Sequence, residues 1–152
     1  MAEEPRALPL INPERRAMML FTSGTTNKPK GVVSTHKTIC AQITTLITAW
    51  EWSEKDVIPL FLPLHHIHGI INILSCGLWA GATVHLFSKF DIPEISKRII
   101  HGTYNVFMAV PTIYVKLIQY FETIEKDEVE KICAGFSAMR LNISGSAACP
   151  VK

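Results

Sequence analysis

Apolar residues come in short runs broken by proline, glycine and polar clusters, and runs of two kinds take turns along the chain. Residues 17–21 form a compact apolar run that ends in a Ser/Thr/Gly cluster, which predicts a buried strand entering a loop. Ile39, Ile43, Leu46, Ile47 and Trp50 then fall at helical spacing, with Ser34 or Thr35 as the cap. Residues 57–62 read as the next strand, closed by Pro63. Residues 69–80 are apolar all round, which predicts a helix covered on every side and ended by Gly81. Residues 83–87 make a third strand. Asp91 and Glu94 form a capping-box pair ahead of Ile92, Ile95 and Ile99, a third helix. Residues 106–110 make a fourth strand, and Pro111 suits the first turn of a helix with Ile113, Leu117, Tyr120 and Phe121 on its buried face. Residues 141–143 form a fifth strand, opening into Ser144-Gly145-Ser146-Ala147.

The strands are runs of apolar residues rather than period-two alternations, so both faces of their sheet are covered. The expected fold class is α/β, a largely parallel sheet with alternating helices. Ligands bind such sheets beyond the carboxyl ends of the strands, which directs attention to the loops after Phe21, Leu62, Val110 and Ile143. The first sixteen residues hold three prolines and a run of charge. Residues 1–16 therefore read as a linker or extended arm, and 17–152 as the folded domain.

Charge and cysteines narrow the partners. The net charge is +2 and the Lys and Arg residues are scattered, so no nucleic-acid partner is expected. Residues 122–131 mix both signs and read as a solvated helix face or loop. The four cysteines have no C-x-x-C spacing, which suits free thiols in a reducing compartment. The apolar stretch 67–82 is interrupted by Gly69, Asn72, Ser75 and Gly77 and falls short of the ~20 residues a membrane span needs. Residues 1–5 are acidic and carry neither a secretory nor a transit pattern. An intracellular location is expected, cytoplasmic on these grounds; a mitochondrial one rests only on family likeness.

The loop after the first strand is chemically unusual. Thr22-Ser23-Gly24-Thr25-Thr26-Asn27-Lys28-Pro29-Lys30-Gly31 packs four hydroxyls, two glycines and two lysines into ten residues. Glycines let backbone N–H groups turn toward an anion, hydroxyls donate to its oxygens, and lysines neutralise its charge. A polyphosphate cradle and a merely polar surface loop both fit this composition. The G-x-x-x-x-G-K-[ST] spacing of ordinary nucleotide-binding loops is absent.

In order as well as composition, the segment resembles the S-G-T-T-G-x-P-K-G signature of the adenylate-forming (AMP-binding) superfamily of acyl-CoA synthetases, luciferases and peptide-synthetase adenylation domains. Asn27 stands where that family has Gly, and Asn is the side-chain-bearing residue best able to keep a left-handed backbone. The resemblance continues in Leu62-Pro63-Leu64-His65-His66-Ile67-His68-Gly69, similar to the L-P-x-x-H-x-x-G motif. It continues also in Val110-Pro111-Thr112 and Ser144-Gly145-Ser146-Ala147-Ala148. It implies that Thr22, Ser23, Gly24, Thr25, Thr26, Asn27 and Lys30 meet the phosphates of ATP. Gly145, Ser146 and Ala147 would lie against the adenylate, and Thr25, Lys30 and His66 would serve catalysis. ATP, Mg2+ and the cosubstrate CoA are implied as ligands, together with a carboxylic acid. The histidine cluster fits no common structural zinc spacing, and no metal site is assigned.

Within the family the chain is most similar to the malonyl-CoA synthetase / acyl-CoA synthetase family member 3 branch. This likeness rests on residues 65–69, on residues 105–114, and on Met139-Arg140-Leu141 before the Gly-Ser turn. A dicarboxylate keeps one charge while the other end reacts, and burying that charge calls for a cation. Arg140 is an odd residue at the entrance of a central strand, and its fork would hold the distal carboxylate, with His68 and Ser144 beside it. A strand-edge surface charge is the other reading of Arg140. A ligase for monocarboxylic (acetate-like, fatty or aryl) acids and a non-catalytic nucleotide-binding or interaction module remain alternatives for the function.

Family members carry further motifs: a Tyr-Gly-x-Thr-Glu segment whose Glu helps hold Mg2+, a ribose-binding Asp and a C-terminal catalytic Lys. None occurs in these 152 residues. The chain is therefore expected to be part of an AMP-binding domain, inactive alone and completed by the missing remainder of the enzyme.

Overall fold

The structure, a computed structural model, describes residues 9–22 and 28–148. The chain forms two compact units, divided between Gln42 and Ile43.

In the first unit β1 (Arg16–Thr22) pairs antiparallel with β2 (Lys30–Thr35), from Met18↔Ser34 to Thr22↔Lys30. The first strand thus has a hairpin partner where the pattern predicts a loop leading straight to a helix. Gly31, Ser34 and Thr35 dilute the Val32-Val33 pair below a readable strand signal, and pairing with β1 supplies what propensity does not. A Cβ on Gly31 would stand 2.9 Å from Met19 Sδ across the hairpin, the end of a flexible side chain that can move aside. Thr35, rather than Ser34, caps α1 (His36–Ala49). The Thr38 amide donates to Thr35 Oγ1 at 3.2 Å, and the Thr35 amide donates to Thr38 Oγ1 at 3.0 Å. Upstream, the Lys37 amide donates to Pro13 O at 2.8 Å and Lys37 Nζ meets Glu14 at 2.7 Å, tying residues 13–14 to the first turn of α1.

The second unit holds two parallel strand pairs. β3 (Val57–Leu60) lies beside β4 (Thr83–Leu86), and β5 (Val106–Ala109) beside β6 (Leu141–Ser144). The pairs meet where the Asn105 amide donates to Val57 O at 3.2 Å and the Val57 amide donates to Asn105 Oδ1 at 2.8 Å. Asp56 O and Leu60 O accept from β4 and its flank, whereas Val57 O accepts from the β5 side. By that alternation Pro59, which has no N–H, also faces β5. The missing donor explains why β3 and β5 touch without a continuous ladder.

Helical crossovers join the strands, as parallel pairing demands. A π-helix (His68–Ser75) continues as α2 (Cys76–Ala80), which ends at Gly81 with φ 76°. Ile71, Ile73 and Cys76 are buried, but Leu78 is 67% and Trp79 56% exposed. The expectation of a helix covered on every side therefore fails for α2. Only one side of this apolar stretch packs on the β3–β4 pair. α3 (Ile92–Ile100) is capped as predicted, Asp91 Oδ1 accepting from the Glu94 amide at 3.2 Å, while the Glu94 side chain turns to Arg98 at 2.7 Å. α4 (Pro111–Phe121) opens on Pro111, and α5 (Lys126–Ala138) occupies the charge-mixed region, showing Lys and Glu outward and burying Ile132. The core gathers Ile95, Ile99, Tyr104, Phe107, Ile113, Leu117 and Ile132 between the strands and α3–α5.

α3 and α5 approach closely because Gly135 carries no side chain. A Cβ there would lie 2.7 Å from Ile99 O, a backbone atom that cannot swing aside. Gly135→Ala is expected to destabilise the fold by about 1–3 kcal/mol, measurable by urea unfolding.

Candidate functional site

The carboxyl ends of β3, β5 and β6 frame a cavity of about 520 Å3 lined by Leu62, Pro63, His66, Ile67, His68, Gly69, Val110 and Ser146. Three local features shape it. After Pro63 the chain turns tightly, the His66 amide donating to Pro63 O at 3.2 Å and the Gly69 amide to His66 O at 3.1 Å. Gly69 fits only without a side chain, since a Cβ would stand 2.4 Å from Pro63 O. Val110 is the extended residue that caps α4 ahead of Pro111. Beyond β6 the Gly145 amide donates to Ala109 O at 3.1 Å, and Ser146 takes φ 66°, a left-handed conformation uncommon outside glycine.

These turns bring together residues that are far apart in sequence. His68 Nδ1 lies 3.1 Å from Ser146 Oγ. His68 is 7% exposed, and burial lowers its pKa below the ordinary 6.5, so the ring is neutral at pH 7. For a buried group of depressed pKa the unfolded chain binds the proton first. Stability is therefore complete above about pH 6.5 and falls as pH drops through that value. Urea unfolding between pH 7 and 5 is expected to show a loss of stability that His68→Asn removes in part. His66 is exposed on the cavity rim, its ring 4.3 Å from that of His65.

Gly145 backs the His68 ring, its Cβ position 3.5 Å from His68 Cε1. Ser144 pairs with Ala109 in the β5–β6 ladder and, like Ala147, is exposed and outside the cavity wall. Thr22 and Lys30 form the last pair of the β1–β2 ladder in the first unit. Ser23, Gly24, Thr25, Thr26 and Asn27 lie outside the described residues, and with them the expected phosphate cradle.

Arg140 needs a correction. It sits at the amino end of β6, its amide donating to Asn105 O at 3.0 Å, whereas the cavity opens at the carboxyl ends. Its fork is already occupied: Nε donates to Asp56 Oδ1 at 2.7 Å, Nη2 to Asp56 Oδ2 at 2.5 Å, and Nη1 to Trp50 O at 2.8 Å. Asp56 is 1% exposed and also accepts from the Ser53 amide at 2.8 Å and Asn105 Nδ2 at 3.0 Å. Burial pushes the Asp56 pKa up. The Arg140 hydrogen bonds, backed by Ser53 and Asn105, outweigh it and hold the carboxyl below its ordinary 3.8. The anion that pairs with this arginine is internal: Asp56 takes the Nε–Nη2 fork and Trp50 O takes Nη1.

Sequence reasoning missed Asp56, although it carried a signal: Asp56 and Arg140 each stand one residue before a strand, Asn105 stands one residue before the strand between them, and the three side chains meet. Val110, marked in the sequence only as the start of a motif turn, proves to be part of the cavity wall itself. Among the described residues no group of three or more His, Cys, Asp or Glu gathers to hold a metal ion, and the cavity wall carries no carboxylate. Nor is any described helix long and apolar enough to cross a membrane.

A cavity at the carboxyl ends of parallel strands, walled by a histidine turn and a Gly-Ser turn, stands where α/β proteins bind small ligands. The AMP-binding enzyme model matches residues 2–152, and the chain belongs to that family. It is 42% identical to the human mitochondrial malonate–CoA ligase ACSF3 over 98% of its own length and 27% of that protein's. Among solved structures it is similar to ATP-bound MatB from Rhodopseudomonas palustris, with TM-score 0.77, 30% identity, and 91% of this chain against 26% of that one. It is also similar to a malonyl-CoA ligase in ternary product complex with methylmalonyl-CoA and AMP, with TM-score 0.80, 30% identity, and 95% against 31% coverage. The chain spans about a quarter of the length of the curated relatives it matches.

Proposed function

We propose that the chain is one segment of an ATP-dependent acid–CoA ligase, which activates a carboxylic acid as an acyl-adenylate and passes the acyl group to CoA. The acid we assign is malonate or a related dicarboxylate. The observation that carries this reading is the shared cavity: the histidine turn and Ser146 meet across 78 residues of chain at the strand tips. The similarity to malonate–CoA ligases supports the choice of acid.

The chemistry asked of these residues is modest. A carboxylic acid with pKa near ~4 is already ionised at neutral pH, so attack on a phosphate needs alignment of two anions rather than a strong base. The Ser146 hydroxyl and His66 offer donors without adding negative charge, neutral His68 stands against Ser146, and Leu62, Ile67 and Val110 exclude water from the acyl group. Thr22, Lys30 and residues 23–27 would grip the nucleotide's phosphates. CoA and ATP are cosubstrates, and an intracellular location, as for the mitochondrial relative, fits this chemistry.

We assign no turnover to the 152-residue chain alone, because its described cavity wall holds neither a permanent cation nor a carboxylate. ATP–pyrophosphate exchange tests both statements. The complete ligase is expected to exchange with malonate and the isolated chain not to. Robust exchange by the isolated chain would overturn the second statement, and absence of exchange by the complete protein with any acid would overturn the first. Faster exchange with acetate or fatty acids than with malonate would reassign the acid.

A further inference from the structure

The His68–Ser146 contact has a direction. A neutral imidazole carries one N–H, on Nδ1 or on Nε2. His68 Nδ1 faces Ser146 Oγ at 3.1 Å, and His68 Nε2 is buried with no hydrogen-bond partner among the described residues. If Ser146 donated to Nδ1, the proton would sit on Nε2 and an N–H would be buried without an acceptor. Orphaned buried N–H groups are rarer in proteins than under-used acceptors. The opposite arrangement puts the proton on Nδ1, directed at Ser146 Oγ, and leaves only a lone pair on Nε2.

We infer that His68 donates from Nδ1 to Ser146 Oγ, which makes His68 a positioning residue and leaves the Ser146 hydroxyl proton directed into the cavity as the donor to an anionic ligand oxygen. Three features hold this geometry. Ser146 is exposed at the cavity wall and kept at φ 66°, a conformation that persists only where its surroundings impose it. The turn packs against the imidazole at Gly145, whose Cβ position lies in ordinary van der Waals contact 3.5 Å from His68 Cε1. Gly69, next to His68, fits under Leu62 and Pro63 only because it lacks a side chain. The histidine is therefore part of the scaffold and the serine is the group that meets the ligand, the reverse of the roles their residue types suggest.

The ligand part of this inference rests on the ligase reading, and the tautomer does not. Long-range proton–nitrogen NMR on the 15N-histidine-labelled chain at neutral pH is expected to show Nδ1 of His68 protonated and Nε2 unprotonated. Protonation mainly at Nε2, or an equal mixture, overturns the inference whatever the protein's activity. In the complete ligase, Ser146→Ala and His68→Gln are each expected to lower kcat/KM for malonate roughly tenfold, the effect of losing one hydrogen bond to a charged group. His68→Asn, whose amide nitrogen lies near the Nδ1 position, is expected to stay within roughly threefold of the parent. His68→Gln equalling or exceeding His68→Asn overturns the positioning role. Titrating malonate and AMP separately into the Ser146→Ala ligase shows which anionic oxygen the hydroxyl meets, since affinity for that ligand falls. Unchanged affinity for both overturns the ligand part. A complete protein inactive with every acid sinks the ligase reading and leaves the NMR result to stand or fall alone.

Discussion

Replacing Arg140 by alanine is expected to cost about 3 kcal/mol of stability, the low end of the range for breaking a buried ion pair. It should also reduce the use of malonate and of simple monocarboxylates by the same factor. The low end applies because the Arg140 side chain is 32% exposed while Asp56 beneath it is 1% exposed. Truncation leaves a buried carboxylate with two neutral donors, Ser53 N and Asn105 Nδ2, in place of a bidentate cation. Asp56→Asn in the same background should recover part of the loss by removing the stranded charge. The pH dependence has a definite sign. Asp56 has a folded pKa below its unfolded value, so its contribution is complete above about pH 4 and disappears as pH falls through the folded value. Acid unfolding of the wild type should therefore show a steep arm below about pH 4 that is shallower in the double variant. A loss selective for malonate would instead return Arg140 to the substrate site and contradict the pairing described above.

Gly69→Ala is expected to have the larger effect on ligand binding. The added Cβ would stand 2.4 Å from Pro63 O, 2.9 Å from Leu62 O and 3.0 Å from Pro63 C, all backbone atoms. No rotamer relieves such a clash, so the turn itself must move, at a cost of about 1–3 kcal/mol. That turn carries His66 and His68. A displacement of about 1 Å at a reacting centre costs on the order of a hundredfold in rate. Thermal unfolding and pyrophosphate exchange on the complete ligase would separate the two effects. A variant of normal stability and normal exchange would show that the turn does not shape the site.

Much of this was legible in the sequence because it is local. The Asp91 cap, the Pro111 helix start and the Gly81 stop each depend on a residue type at one position, and each appears where the pattern puts it. The histidine turn and the Gly-Ser turn were legible as motifs, and their meeting at strand tips followed from the α/β alternation. What the sequence hid depends on partners. β2 exists through its pairing with β1 and carries a weak pattern of its own. The exposure of Leu78 and Trp79 is invisible in a stretch that is apolar on all sides. Arg140 misled because a charge beside a central strand implies a counter-charge, and nothing in one dimension says whether that counter-charge is a ligand or, as here, Asp56.

The most direct measurement is a crystal structure of the complete ligase with a stable malonyl-adenylate analogue. The acyl–phosphate junction is expected in the cavity bounded by Leu62, His66, Val110 and Ser146, with Ser146 Oγ within about 3 Å of one of its oxygens and Arg140 still bound to Asp56. An adenylate seated away from residues 62–69 and Ser146, or a malonate carboxylate held by Arg140 in place of Asp56, would contradict it.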